Sequence, residues 1–130
     1  MSCDVTKFTI SKGVKNTFSF TIKQDNSTLP LVIVDGVDTF LADLIPLHED
    51  FDFGVGMPVG TFTDIVMSVE DAANGKVLLV VPEVDTQWLT ADKGDRVDRH
   101  YLRPTYKMVL KCETTNNGDF IAKVPEVYVD

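Results

Sequence analysis

Short runs of alternating apolar and polar residues recur along the chain, and they predict strands. Over residues 5–10, Val5, Lys7 and Thr9 face one way and Thr6, Phe8 and Ile10 the other. Residues 16–23 set Phe18, Phe20 and Ile22 against Thr17, Ser19 and Thr21. Residues 39–47 set Phe40, Ala42 and Leu44 against Leu41, Asp43 and Ile45. Strand character returns over 62–70. After Pro104 it returns again, with Tyr106, Met108, Leu110 and Cys112 contrasting with Lys107 and Lys111, and last over 120–129. A period of two is the mark of a half-buried strand. Residues 77–81 (VLLVV) are a continuous apolar run of strand length, which predicts a strand buried on both faces. Residues 31–34 form a shorter apolar segment.

The gaps carry turn chemistry. Ser11-Lys12-Gly13, the Asp/Asn/Ser/Thr/Pro stretch at 24–30, Asp35-Gly36, residues 71–76 ending in Asn-Gly-Lys, and Thr115-Asn116-Asn117-Gly118 all read as turns. Prolines at Pro46 and Pro125 cannot donate a ladder hydrogen bond, so each predicts a strand end, an edge or a bulge. Residues 82–90 (PEVDTQWLT) form the one helical candidate, about two turns with Val84, Trp88 and Leu89 on one face. Seven or eight strands spaced ten to fifteen residues apart, with no strand–helix alternation, predict an all-β fold. The expected form is an antiparallel β-sandwich with Greek-key connections and one short helix.

Composition agrees. Val, Thr and Ile make up 37 of 130 residues, whereas Ala and Glu number five each against 15 Asp. β-Branched side chains fit a pleated surface, Ala and Glu are helix formers, and Asp belongs in turns. At 130 residues and 14.4 kDa the chain suits a single domain with one core over 1–130. The opening MSCDVTKF has no apolar h-region, and the longest apolar run is five residues, so neither a secretory signal nor a membrane span is expected.

Net charge is −8, unevenly placed. Between Lys23 and Lys76 there are ten acids and no Lys or Arg. Such a surface repels phosphate backbones, so nucleic acid is not an expected partner. It reads either as a solvated face or as a docking face for a basic protein. Cys3, placed in a loose terminus, and Cys112, in a strand, read as free thiols.

No catalytic signature is present: no G-x-S-x-G, HExxH, phosphate-binding loop or dinucleotide glycine pattern. No enzyme activity, cofactor or metal is therefore expected. His48 with Glu49, Asp50 and Asp52 is the densest polar cluster, but two acids in D-x-D spacing fit an exposed loop as well as an ion site. His100 reads as a strand-end histidine, and the glycosylation pattern at Asn26 carries no weight without a signal peptide. Residues 48–60, with three Gly, one Pro and three acids, predict a mobile loop. Most aromatics fall where a sandwich interior would hold them; Phe51 and Phe53, in this loop, are the candidates for exposure. With Asp50 and Asp52 they form the candidate protein-contact site.

The order of these features resembles the immunoglobulin-like domain of tailed-bacteriophage virion proteins, including the N-terminal domain of upper-baseplate proteins. The resemblance is carried by Ile10-Ser11-Lys12-Gly13 with residues 17–22, the apolar segment at 31–34, and the turn at 71–77. Residues 85–89, the strand at 106–110 and the final strand from Asp119 complete it. It spans nearly the whole chain, is structural, and transfers no functional residue. It implies an immunoglobulin-like sandwich acting as a non-enzymatic virion component in tail, baseplate, neck or fibre attachment. It further implies contacts to other phage structural proteins in multiple symmetric copies, after synthesis in the host cytoplasm. Capsid decoration and a carbohydrate or host-surface binding module are the alternatives. The loop at 48–60 is longer than the resemblance leads one to expect.

Overall fold

A computed structural model of the protein describes residues 1–25, 27–92 and 103–130. Among these, nine strands form two sheets: β1 (Ser2–Cys3), β2 (Lys7–Ile10), β3 (Asn16–Lys23), β4 (Thr39–Pro46), β5 (Ile65–Val66), β6 (Ser68–Asp71), β7 (Lys76–Val81), β8 (Tyr106–Thr114) and β9 (Gly118–Val129). One sheet runs β1-β3-β7-β6 and the other β2-β9-β8-β4-β5. The alternating faces meet between them. Phe40, Cys112 and Phe120 align across β4, β8 and β9, and the next rows are Ala42-Leu110-Ala122 and Leu44-Met108-Val124. From the opposite sheet come Phe20, Ile22, Val77, Leu79 and Val81, all buried. At one margin Phe8 packs on Phe18 and Phe20, with ring centroids 4.5 and 5.4 Å apart, joining the two sheets.

The sandwich follows the hydrophobic pattern, with four departures, the first two of which divide expected strands and bring the number among the described residues to nine rather than seven or eight. First, the ladders are not all antiparallel. The first strand divides: β1 lies antiparallel on β3, then the chain crosses and β2 runs parallel to β9. Asp4 stands at the crossing, its amide donating to the Thr21 carbonyl at 2.9 Å and its Oδ1 accepting the Thr21 amide at 3.0 Å. Cys3 is thus held in a ladder and packs on the core rather than lying in a loose terminus.

Second, the single strand expected over 62–70 is two strands in different sheets. β5 pairs with β4, the buried Met67 donates its amide to the Phe40 carbonyl at 3.0 Å, and β6 then pairs with β7. Alternation persists through the crossing, so periodicity does not reveal it. Third, β7 is not buried on both faces: Val77, Leu79 and Val81 are, while Leu78 and Val80 are half-buried over an uncovered sheet face. Fourth, the helix α1 (Glu83–Thr86) has one turn, and Val84 points outward at 64% exposure. Thr86 takes the inward position instead. Its fully buried hydroxyl donates to the Glu83 carbonyl and accepts the Gly13 amide, tying α1 to the first turn.

Both prolines have structural roles. Pro46 closes β4 opposite Tyr106. Pro125 sits in a bulge of β9, where the register against β8 slips between Tyr106 and Met108; β9 is an interior strand, so the bulge, not an edge, accommodates the ring. The segment at 31–34 joins no named strand, but Leu31 and Ile33 are buried beneath it. His100, Asn26 and most of the charged stretch at 91–98 lie outside the described residues.

Candidate functional site

The connection from β4 to β5, at one end of the sandwich, holds the four candidate contact residues. It begins with His48, whose Nδ1 accepts the Asp50 amide at 3.2 Å and caps a 3-10 helix over Glu49–Phe51. The aromatic candidates then part company. Phe53 turns inward and stacks on both Phe62 and Tyr106, with centroids 5.0 and 5.1 Å apart and ring planes within 20° and 6°. Phe51 stays half-buried, outside the core, with its ring 5.8 Å from His48. Asp50 and Asp52 are exposed, and Asp52 Oδ1 accepts the Phe53 amide at 2.8 Å.

The loop is held at several points. The Asp52 carbonyl accepts the Thr90 hydroxyl at 2.9 Å, and the Gly54 amide donates to the Trp88 carbonyl at 2.9 Å. Gly54 suits that close approach, since a Cβ there would stand 3.1 Å from the Trp88 ring and press on it. Under the loop, Tyr106 is fully buried and its hydroxyl accepts the Thr90 amide at 2.8 Å. Burial pushes its phenol pKa up, against the lowering effect of that hydrogen bond. On the far side the Phe62 carbonyl accepts the Leu44 amide, and Asp64, at φ 54°, gives its amide to Asp43 Oδ1 at 2.7 Å. The mobile loop expected from glycine content is therefore anchored at both ends of its span. Its tip, between Gly54 and Gly60, presents Val55 and Val59 fully to solvent.

Sequence reasoning singled out this loop and did not pick out these valines. The available signal was two apolar residues set among Gly and Pro, where no alternation gives them an inward face. Their exposure, with Leu47 at 43%, makes this end of the molecule apolar at the tip and acidic at Glu49, Asp50 and Asp52. An apolar tip with carboxylates on the arm beside it is suited to a protein surface that is apolar with basic groups alongside.

The wider acidic stretch does not form one face. Asp43 and Asp64 both bind Lys111, the former at 3.1 Å, and together they raise the lysine's pKa. Glu70 accepts the Ser19 hydroxyl, Asp71 accepts Asn74, and Asp25 meets the N-terminal amine. Asp38 accepts the Val34 amide at 2.8 Å and the Thr115 amide at 2.9 Å, pinning two loops. Many of these carboxylates thus fasten the fold, and the three beside the loop tip remain on the surface. Among the described residues, no three His, Cys, Asp or Glu side chains converge to hold a metal ion. No helix among them is long and apolar enough to cross a membrane.

No protein-family model matches the chain. No curated protein matches it either.

Proposed function

We propose that this chain is an immunoglobulin-like, non-enzymatic structural component of a tailed-phage particle. It acts through protein–protein contacts made by the loop between β4 and β5. The observation that carries the reading is the strand order. Lettered as immunoglobulin strands, one sheet reads A-B-E-D and the other A′-G-F-C-C′, with the first strand divided between them. This order supports the domain type that residues 10–22, 71–77, 85–89 and 106–129 resemble. Function then rests on the site grafted onto that scaffold. The anchored loop supplies a preset apolar tip with Asp50 and Asp52 on the arm beside it, and Phe51 lies next to it. Phe53 supports the loop from beneath rather than meeting a partner.

The test is quantitative mass spectrometry of gradient-purified particles from the source phage. The reading predicts the chain in fixed ratio to the major capsid protein. A few copies, up to a dozen or two, would mean neck, baseplate or fibre; hundreds would mean capsid decoration or the tail tube. Absence from the particles would overturn the assignment.

A further inference from the structure

The outer face of the five-stranded sheet is charged asymmetrically along its strands. At one end Glu113 on β8 and Asp119 on β9 stand in register, both exposed. Toward the other end Lys123 on β9 stands beside Val109, and Lys107 follows on β8, opposite Ile45. Glu113 and Lys107 are six residues apart on one strand, about 20 Å. Between them lies an apolar belt of Leu41, Val109 and Ile121, the last 57% exposed. The lysine in that belt, Lys111, is already paired with Asp43 and Asp64. A shallow depression of about 270 Å³ opens at the acidic end, lined by Glu113, Asp119 and Ile121 among others.

We infer that this face binds a second copy of the chain about a two-fold axis crossing the strands near the row of Lys111. An interface of this symmetry sets residue i on residue j and j on i. Turning one copy over that axis lays Glu113 and Asp119 on the partner's lysine end, and the reciprocal contact forms at the other side. Apolar belt meets apolar belt at the centre. Stacking the copies with their strands in the same direction would instead set acids on acids, so charge selects the antiparallel arrangement. The depression at the acidic end receives a lysine head from the opposite copy. Four strands at ~4.8 Å spacing and seven residues at ~3.4 Å give a footprint of about 450 Å², near half that of a standard interface, so the dimer is weak and concentration-dependent. The inference goes beyond the proposed function, because self-contact is a property of the purified chain whether or not it is found in particles.

Sedimentation velocity on the whole chain, at concentrations rising to the millimolar range, tests it. Wild type is expected to move from monomer to dimer, less readily in high salt. K107E/K123E and E113K/D119K should each self-associate at least about tenfold more weakly, because like charges then face each other. An equimolar mixture of the two should associate again, as should the variant carrying all four changes. Circular dichroism confirms that each variant is folded. A wild type that stays monomeric throughout would overturn the inference. So would charge-reversed variants that dimerise like wild type, or a mixture that fails to associate.

Discussion

Gly75 closes the turn before β7 in a left-handed conformation, φ 66°. Its amide bonds the Ala72 carbonyl, and its own carbonyl accepts the Ile22 amide at 2.9 Å. Ile22 in turn accepts the Leu31 amide at 2.8 Å, so this glycine sits where the buried segment at 31–34 is stitched to β3. A Cβ at this position would lie 2.7 Å from the carbonyl oxygens of both Ile22 and Leu31, and 3.0 Å from the Leu31 nitrogen. All three are backbone atoms that cannot swing aside. Gly75→Ala therefore incurs ~1–2 kcal/mol for the left-handed backbone. Spreading the strand and segment weakens two further hydrogen bonds, at ~0.5–1.5 kcal/mol each. The expected loss is about 2–5 kcal/mol. Gly118, at φ 68° with nothing within 4 Å of its would-be Cβ, provides the control. Gly118→Ala should lose only the backbone share, ~1–2 kcal/mol. Urea unfolding followed by tryptophan fluorescence measures both. If the two variants are equally stable, the close packing at Gly75 is not contributing and the argument from it is refuted.

Phe53→Ala should destabilise the protein by about 1–3 kcal/mol, since it removes a half-buried ring stacked on two others. Phe51→Ala should cost under ~1 kcal/mol, and thermal melts of the two separate a supporting ring from a surface one. Asp38 has its pKa held below the ordinary range: burial alone would raise it, but hydrogen bonds from Val34 and Thr115 outweigh that. A depressed folded-state pKa gives stability that is present above the unfolded value, near pH 4, and lost as pH falls through the folded one. Acid titration of stability should therefore be shallower in Asp38→Asn than in wild type; identical slopes would remove Asp38 from the acid response. Burial pushes the thiols of Cys3 and Cys112 up to about 12. At pH 8.5, where an unfolded thiol is about half ionised, the native protein should react far more slowly with iodoacetamide than the protein in urea. Equal rates would contradict the burial of both.

Much of the sandwich was legible because one face of each long strand is buried. Alternation in Phe18-Phe20-Ile22 and Phe40-Ala42-Leu44 gave strands β3 and β4 with their inward faces. The partner of each strand was not legible. Residues 62–70 alternate without interruption although the chain changes sheets at Met67, and nothing local announces that β2 lies parallel to β9. The run VLLVV gave a strand but not its exposed side, because an uncovered sheet face can be apolar. In 82–90 a polar residue, Thr86, outcompeted Val84 for the inside by satisfying Glu83 and Gly13 together. At the loop, composition marked out the irregular segment. It could not tell Phe53 from Phe51, since which ring enters the core depends on Phe62 and Tyr106, distant in sequence. Apolar residues among glycines, Val55 and Val59, carry no periodicity from which an outward position could be read.

The central claim is that the tip between β4 and β5 meets a basic neighbour within the particle. Residues 48–60 of the loop contain three surface carboxylates and no lysine. Zero-length carbodiimide cross-linking of purified particles, read by mass spectrometry, therefore couples Glu49, Asp50 or Asp52 only to lysines lying against them. The account predicts cross-links from these residues to another virion protein, lost on disassembly. Particles that contain the chain but yield cross-links only from its other carboxylates would contradict it.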